Sequence, residues 1–158
     1  MITEVPIPRQ LKSSEMLTTS SNRFMLQWYS IDSSGRRTLT MTTYQNDNDG
    51  WYIDFSDLDY EIVANTPETG GGESAVTFYH MAESGEVTEI LSVYTLTGDN
   101  RYSRATVGRR FMIMENGDKV YAARLPQTDD IQTLEEARQE IIERFHLLTY
   151  DWDTGEVS

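Results

Sequence analysis

The stretch "RRFMIMENGDKVYAARL" (residues 109–125) shows most directly which kind of fold this chain adopts. Two runs rich in apolar residues flank "ENGD", as expected for two short β-strands joined by a tight turn. The Asn-Gly pair supplies the type I′ turn that matches the twist of antiparallel strands. The stretch therefore predicts a β-hairpin.

Period-two patterning, which is typical of half-buried strands, extends from residue 24 to residue 125. In "WYIDFSDL" (51–58) alternation places one set of side chains inward and the next set outward. The inward set is Trp51, Ile53 and Phe55, and the outward set is Tyr52, Asp54 and Ser56. Further strands are predicted in "RFMLQWYSI" (23–31), "TLTMTTY" (38–44), "AVTFYHM" (75–81) and "VTEILSVYTL" (87–96). The glycine-rich "NTPETGGGES" (65–74) is predicted to be a flexible connection.

The period changes to that of a helix in "TLEEARQEIIERFHLL" (133–148). Thr133 as N-cap and Glu136 three residues later form a capping box. The apolar residues then recur at helical spacing on one face. This face consists of Leu134, Ala137, Ile141, Phe145 and Leu148.

The order of these elements predicts one domain over residues 1–158. It comprises an extended N-terminal arm (1–22), antiparallel strands (24–125), a helix (133–148) and a tail (149–158). The fold class is mainly β (α+β): a meander of about seven strands, as a barrel or a strongly curved sheet, with the amphipathic helix packed on it. Lipocalin-like barrels share this general order, but their Gly-X-Trp start is absent, the nearest match being "LQWY" (26–29). No family is inferred from order alone.

Several function classes lack their sequence signatures. The first sixteen residues contain neither a basic start nor an apolar run, so no signal peptide is expected. No stretch approaches the roughly 20 apolar residues of a membrane span, and there is no cysteine for a disulfide, a thiolate nucleophile or a Cys-ligated metal. Gly-X-Ser-X-Gly and phosphate-loop motifs are also absent. We expect a cytoplasmic, non-enzymatic protein without cofactor or metal.

The net charge of −13 is unevenly distributed along the chain. Between Thr38 and Asn100 there are twelve Asp and Glu residues and no Lys or Arg. Such a block repels nucleic acids and membrane surfaces and attracts basic proteins. A salt-adapted or merely very soluble surface is the alternative explanation.

The densest part of this block is "YQNDNDGWYIDFSDLDYE" (44–61), with six carboxylates. An EF-hand is rejected, because Gln45 and Ser56 occupy the positions where the first ligand and the bidentate Glu should stand. A looser divalent-cation site on Asp47, Asp49 and Asp54 remains an alternative. Acid/base catalysis is disfavoured, because successive outward carboxylates on a strand lie about 6–7 Å apart. The stretch is interpreted as a hairpin with an acidic exposed face.

The leading hypothesis is an acidic interaction module that binds a basic protein surface, including that of a nucleic-acid-binding protein, as nucleic-acid-mimicking inhibitors of phages and mobile elements do. It would not bind nucleic acid itself. The predicted contact set contains six carboxylates, with two aromatic residues as anchors. The carboxylates are Asp47, Asp49, Asp54, Asp57, Asp59 and Glu61, and the anchors are Trp51 and Tyr52.

A second hypothesis is a lipocalin-like carrier of an anionic small molecule. Its pocket would be lined by aromatic residues and His80, with an arginine from "RYSRATVGRR" (101–110) as the anion anchor. The predicted set is Trp28, Tyr79, His80, Tyr94, Tyr121, Arg104 and Arg110. Against it, His80 fits a hydrogen-bonded core position, and the arginines fit pairing with the protein's own acids. A virion or assembly component, with self-association into a homo-oligomer, is the third hypothesis.

Overall fold

The computed structural model describes residues 3–10, 24–46, 48–56, 61–67 and 69–148. These residues form two compact units. The first unit contains the described residues up to Ser56 together with 143–148, and the second contains those between 61 and 142. The single-domain organisation stays a prediction.

The described residues contain ten strands and two helices. In chain order they are β1 (Thr3–Gln10), β2 (Phe24–Ile31), β3 (Arg37–Asn46), β4 (Trp51–Asp54), β5 (Glu61–Asn65), β6 (Glu73–Met81), β7 (Val87–Leu96), α1 (Arg101–Arg104), β8 (Phe111–Asn116), β9 (Lys119–Arg124), α2 (Ile131–Arg144) and β10 (Phe145–Leu147).

The first unit is built on a five-stranded antiparallel sheet with the order β1-β2-β3-β4-β10. The predicted alternation in β4 is confirmed: Trp51, Ile53 and Phe55 are buried, whereas Tyr52 and Asp54 are half-buried. The buried side chains form the core of this unit together with Tyr44 and Phe145.

The predicted helix over 133–148 ends earlier than the sequence pattern indicated. Helix α2 stops at Arg144, and the next three residues form β10, which pairs Phe145 with Ile53 and Leu147 with Trp51. A short apolar run fits a helix face and a strand equally well, so local spacing cannot decide between them. Tertiary pairing decides here, because it buries Phe145 to 2% exposure beside Trp51.

Strand β1 forms one edge of the first sheet and carries two prolines, Pro6 and Pro8. Residues two apart in a strand point their backbone groups to the same side. Because proline has no N–H, this edge offers an incomplete row of donors to any further strand. Part of the predicted N-terminal arm is thus a paired strand, and residues 11–22 lie outside the described part.

The second unit contains a five-stranded antiparallel sheet with the order β5-β6-β7-β9-β8. The predicted meander is therefore wrong at this point, because β9 lies beside β7 and β8 is displaced to the edge. Burial explains the order: four consecutive residues of β9, from Val120 to Ala123, are at most 1% exposed. A strand that is apolar on both faces is stabilised in the middle of a sheet.

The β8–β9 hairpin is confirmed, but its turn differs from the predicted type I′. Asn116 pairs with Lys119, so Gly117 and Asp118 are the two central turn residues. Gly117 has a φ of 61°, whereas Asp118 is not among the positive-φ residues. A positive φ at the first central position alone is the pattern of a type II′ turn.

Helix α2 begins at Ile131, and its cap is Asp130 instead of the predicted Thr133. The Asp130 carboxylate accepts the Thr133 backbone N–H at 3.2 Å and its hydroxyl at 2.7 Å. These hydrogen bonds, the side-chain one first, lower the pKa of Asp130 below its ordinary value. The predicted capping box is therefore wrong, since Thr133 lies inside the first turn.

The glycine-rich connection before β6 is held by specific contacts, which corrects its interpretation as flexible. Gly72 has a φ of 78°, and its carbonyl accepts the Thr97 backbone N–H at 2.8 Å. Gly71 has a φ of 64°, and its carbonyl accepts a guanidinium N–H of Arg104 at 3.2 Å. Both glycines adopt the left-handed backbone that other residues avoid.

The fold class is mainly β, with antiparallel sheets throughout the described residues. Neither sheet closes into a barrel in that part of the chain, because the outer strands of each sheet do not pair with one another. Among the described residues, no helix combines the length and the apolar character required to cross a membrane.

Candidate functional site

The turn inside the acidic stretch 44–61 is held by its own polar side chains. The Asn46 side-chain amide donates to the Asp49 carboxylate at 3.2 Å, and the Asp49 backbone N–H donates to the Asn46 side-chain oxygen at 3.1 Å. Gly50 closes the turn with a φ of 76° and a hydrogen bond to the Asn46 carbonyl at 2.8 Å. Asn and Asp here serve the turn backbone, as such residues commonly do.

Trp51, one of the two predicted anchors, lies in the core of the first unit. Its exposed fraction is 1%, and its ring centre lies 5.7 Å from that of Tyr44 and 5.6 Å from that of Phe145. A partner cannot reach a side chain that is enclosed in this way. The assignment of Trp51 as an anchor is thus corrected: this ring stabilises the unit.

Tyr52 and Asp54 occupy the outward positions of β4. Tyr52 stacks on His146 with ring centres 4.9 Å apart. Burial first, and then the charge of Asp54, raise the pKa of the Tyr52 hydroxyl. The Asp54 carboxylate accepts the Ser56 backbone N–H at 2.8 Å. These two predicted contact residues are half-buried and already have neighbours.

The remaining carboxylates of the predicted contact set are divided between the two units or lie outside the described residues. Asp47, Asp57 and Asp59 lie outside the described part of the chain. Glu61 begins β5 and belongs to the second unit, whereas Asp49 and Asp54 belong to the first. Within the described residues no cluster of three or more Asp, Glu or His side chains could hold a metal ion.

The structure assembles a different acidic surface at one end of the second sheet. Strand pairing places Glu61 beside Met81, the last residue of β6. The β6–β7 turn follows directly and presents Glu83 and Glu86, both exposed. Glu89, near the start of β7, is the third described carboxylate at this end. We call the surface formed by Glu83, Glu86 and Glu89 the acidic end.

The tip of the acidic end is a tight turn. The Ala82 backbone N–H donates to the Glu86 carbonyl at 2.8 Å, and that of Gly85 donates to the Ala82 carbonyl at 2.9 Å. The side chains of Glu83 and Glu86 have no hydrogen-bond or ion-pair partner among the described residues. The sequence contained a signal for this tip in "AESGEV" (82–87), two Glu around Ser-Gly. The sequence-based prediction of the contact set favoured residues 44–61 instead, because Asp residues are denser there.

Glu89 differs from the tip carboxylates because it belongs to a polar network on the sheet face. It pairs with Arg124 at 3.3 Å and accepts the Ser92 hydroxyl at 3.2 Å. Tyr79 stands opposite Glu89 across β6 and β7. Burial chiefly, together with the Glu89 charge, raises the pKa of Tyr79, while Arg124 acts in the opposite direction.

The arginines predicted as anion anchors are engaged by the protein's own groups. Arg110 binds Glu73 through both guanidinium nitrogens, at 2.7 and 3.1 Å, and lies over the Tyr94 ring at 3.8 Å. Arg104 approaches the same carboxylate at 3.7 Å and also donates to the carbonyl of Gly71 and the side chain of Asn100. This is the internal pairing that the acidic composition favoured over a ligand role for these arginines.

The other predicted pocket residues do not form one wall. Adjacent strand residues point to opposite faces, so Tyr79 and His80 diverge. Tyr94 pairs with Ala122 and therefore lies on the face opposite Tyr121, the next residue back in β9. Trp28 belongs to the first unit, and its side chain lies outside the described part. The carrier hypothesis gains no support from this arrangement.

Comparison of the chain with known protein families, with curated proteins and with solved structures finds no match in any of the three.

Proposed function

We propose that this protein is a non-enzymatic interaction module whose acidic end binds a basic surface on a partner protein. The observation that carries the proposal is the exposure of Glu83 and Glu86 in a block that contains no Lys or Arg from Thr38 to Asn100. Exposed carboxylates that have no ion-pair partner among the described residues are available to a cation from outside.

Electrostatics supports a basic partner for this surface. Among the described residues, three carboxylates share the acidic end with Arg124, which pairs with Glu89. A partner bearing Lys or Arg would relieve the repulsion among these acids and would be steered toward them before contact. Because Glu83 and Glu86 are exposed, each new pair contributes roughly 0.2–1 kcal/mol. Specificity then requires several pairs on one surface.

The finer form of the proposal is that the partner binds nucleic acid. Arginine and lysine recognise carboxylates and phosphates through the same charge-assisted hydrogen bonds. A protein surface that holds phosphates can therefore be occupied by the acidic end. DNA or RNA would compete with this protein for such a partner.

The test compares the wild-type chain with E83Q/E86Q and with the matched control D99N/D118N. Both variants remove two exposed charges, but Asp99 and Asp118 lie at the opposite end of the second sheet, where Leu96 pairs with Val120. Each protein is used to capture partners from host lysate, with washes at about 0.05 M and about 0.5 M salt. We expect basic proteins on the wild type and the control that are lost from E83Q/E86Q and at high salt.

The captured partner is then purified and its affinity is measured by calorimetry. Loss of two exposed pairs should weaken binding roughly two- to thirtyfold. Added DNA or RNA should displace the wild-type protein if the finer form is correct. Equal affinity of the wild type, E83Q/E86Q and the control would show that the acidic end does not carry the interaction.

A further inference from the structure

Strand β8 (Phe111–Asn116) forms an edge of the second sheet and pairs with β9 on one side. An edge strand presents alternate N–H and C=O groups that can pair with another strand. Apolar surface accompanies this edge: Met112 is 46% exposed, and Val107 in the preceding turn is 52% exposed. Among the described residues, the edge thus combines backbone groups that have no strand partner with exposed apolar side chains.

The other sheet edges are protected in ways that β8 is not. Edge strand β1 carries Pro6 and Pro8, and edge strand β10 has three residues. In β5, Ile62, Val63 and Ala64 are at most 6% exposed, so this strand is covered on both faces. Strand β8 contains neither proline nor lysine. Among the described edges it is the one most open to pairing.

The charges that flank β8 favour a second copy of this chain as the occupant. Arg109 precedes the strand and Asp118 follows it; both are exposed, and neither has a hydrogen-bond or ion-pair partner among the described residues. They lie at opposite ends of a six-residue strand, about 20 Å apart, which is too far for pairing within one copy. In an antiparallel pair of identical strands, the start of one faces the end of the other.

We propose that two copies of this chain form a two-fold dimer in which their β8 strands pair antiparallel. In the proposed register, Ile113 of one copy lies opposite Met114 of the other, next to the two-fold axis. The same register places Arg109 of each copy opposite Asp118 of the other copy. Such an isologous contact uses the same edge in both copies, so assembly stops at the dimer. This inference is independent of the proposed function, because it uses none of the carboxylates of the acidic end.

The dimer is expected to be weak. One short strand pair buries much less than the roughly 800 Å² per partner of a stable interface. A bulge between Met112 and Met114 also bends β8 and limits the number of regular hydrogen bonds. Dissociation constants on the order of 10⁻⁴ M are typical of contacts at this low end of the size range. Self-association should therefore appear only at high protein concentration.

Sedimentation equilibrium over a wide concentration range tests the dimer and its orientation. It is measured at about 0.15 M salt or above, so that the repulsion between two acidic chains is screened. The single variants R109D and D118R should each weaken dimerisation roughly three- to tenfold. The double variant R109D/D118R restores opposite charges and should recover the wild-type constant. Aspartate is suitable at 109 because it tolerates the left-handed φ of 69° found there.

A second pair of variants tests the strand pairing itself. Asn116 and Lys119 close a two-residue turn and bond to each other, so Glu115 directs its N–H and C=O outward. E115P removes this outward donor, whereas E115A keeps it, and both lose the same side chain. We expect E115P to abolish dimerisation and E115A to retain it, with matching circular dichroism spectra. A wild-type chain that stays monomeric near millimolar concentration, a double charge variant that fails to recover, or equal effects of E115P and E115A would overturn the proposal.

Discussion

Replacing Glu73 by Gln should destabilise the second unit by about 2–3 kcal/mol. Glu73 and Arg110 are each 16% exposed and are joined at 2.7 Å, with a second hydrogen bond at 3.1 Å. Removing one partner of a fully buried pair costs about 3–5 kcal/mol, whereas an exposed pair contributes about 0–1 kcal/mol. The intermediate burial of this pair places the cost between these limits.

The matched control for this prediction is E135Q. Glu135 pairs with Arg138 at 2.9 Å, but the Glu135 side chain is 63% exposed. The two variants make the same chemical and charge change at similar distances and differ in burial. We therefore expect E135Q to change the free energy of unfolding by no more than about 0.5 kcal/mol.

Urea unfolding followed by circular dichroism measures both variants. The double variant E73Q/R110Q completes a cycle with the single variants and isolates the coupling between the two side chains. If E73Q and E135Q have the same free energy of unfolding, burial does not control the strength of this pair. The reasoning from burial to magnitude would then be refuted.

Three further predictions concern stability. G72A should lower the free energy of unfolding by about 1–2 kcal/mol or more. The φ of Gly72 is 78°, and a Cβ there would lie 3.0 Å from the Thr97 carbonyl oxygen. An unchanged urea unfolding curve would contradict this prediction. W51A should lower the free energy of unfolding by about 3–5 kcal/mol and lower the urea midpoint. A midpoint equal to that of the wild type would make Trp51 a candidate for partner contact again. The Asp130 carboxyl should titrate below 3.8 by NMR, and T133V should raise its pKa. Because folding lowers this pKa, the ionised cap stabilises the folded state at neutral pH. This stabilisation is lost as the pH falls through the pKa of the folded state. An unchanged Asp130 pKa in T133V would exclude the Thr133 hydroxyl as the cause of the shift.

Alternation along the chain predicted seven of the ten described strands, because a strand that buries one face imposes its period on the sequence. The other three, β1, β5 and β10, were not predicted. Most hairpins of both sheets were legible in this way, including that of β8 and β9. The position of β8 at the edge was not predicted. It depends on which strand is apolar on both faces, and it becomes visible only when both faces have neighbours.

The limits of the helix were predicted less well, because two structures competed for the same residues. Phe145 fits the apolar stripe of a helix, yet it pairs with Ile53 in β10. Asp130 caps the helix three residues before the predicted Thr133. The local pattern allowed either helix or strand at Phe145 and either of two N-cap residues. Contacts with distant residues determine the first choice, and contacts with flanking residues determine the second.

The charge block was evident in the sequence, whereas the surface it forms was not. Density of acids drew attention to 44–61, but Asp49 and Asp54 are held by their own turns. Strand pairing places the backbone of Glu61 beside Met81, which lies twenty residues later and leads into the turn of Glu83 and Glu86. Pairing between residues so far apart in the sequence cannot be predicted from local composition.

The sequence by itself determined the strand-rich fold class, the turns and the concentration of negative charge in the middle of the chain. These properties depend on each residue and its near neighbours. Tertiary structure decided the order of the strands, the end of the helix, the burial of Trp51 and the pairing of Arg110 with Glu73. Each of these depends on residues that are distant in sequence, and the burial that stabilises them exists only when those residues meet.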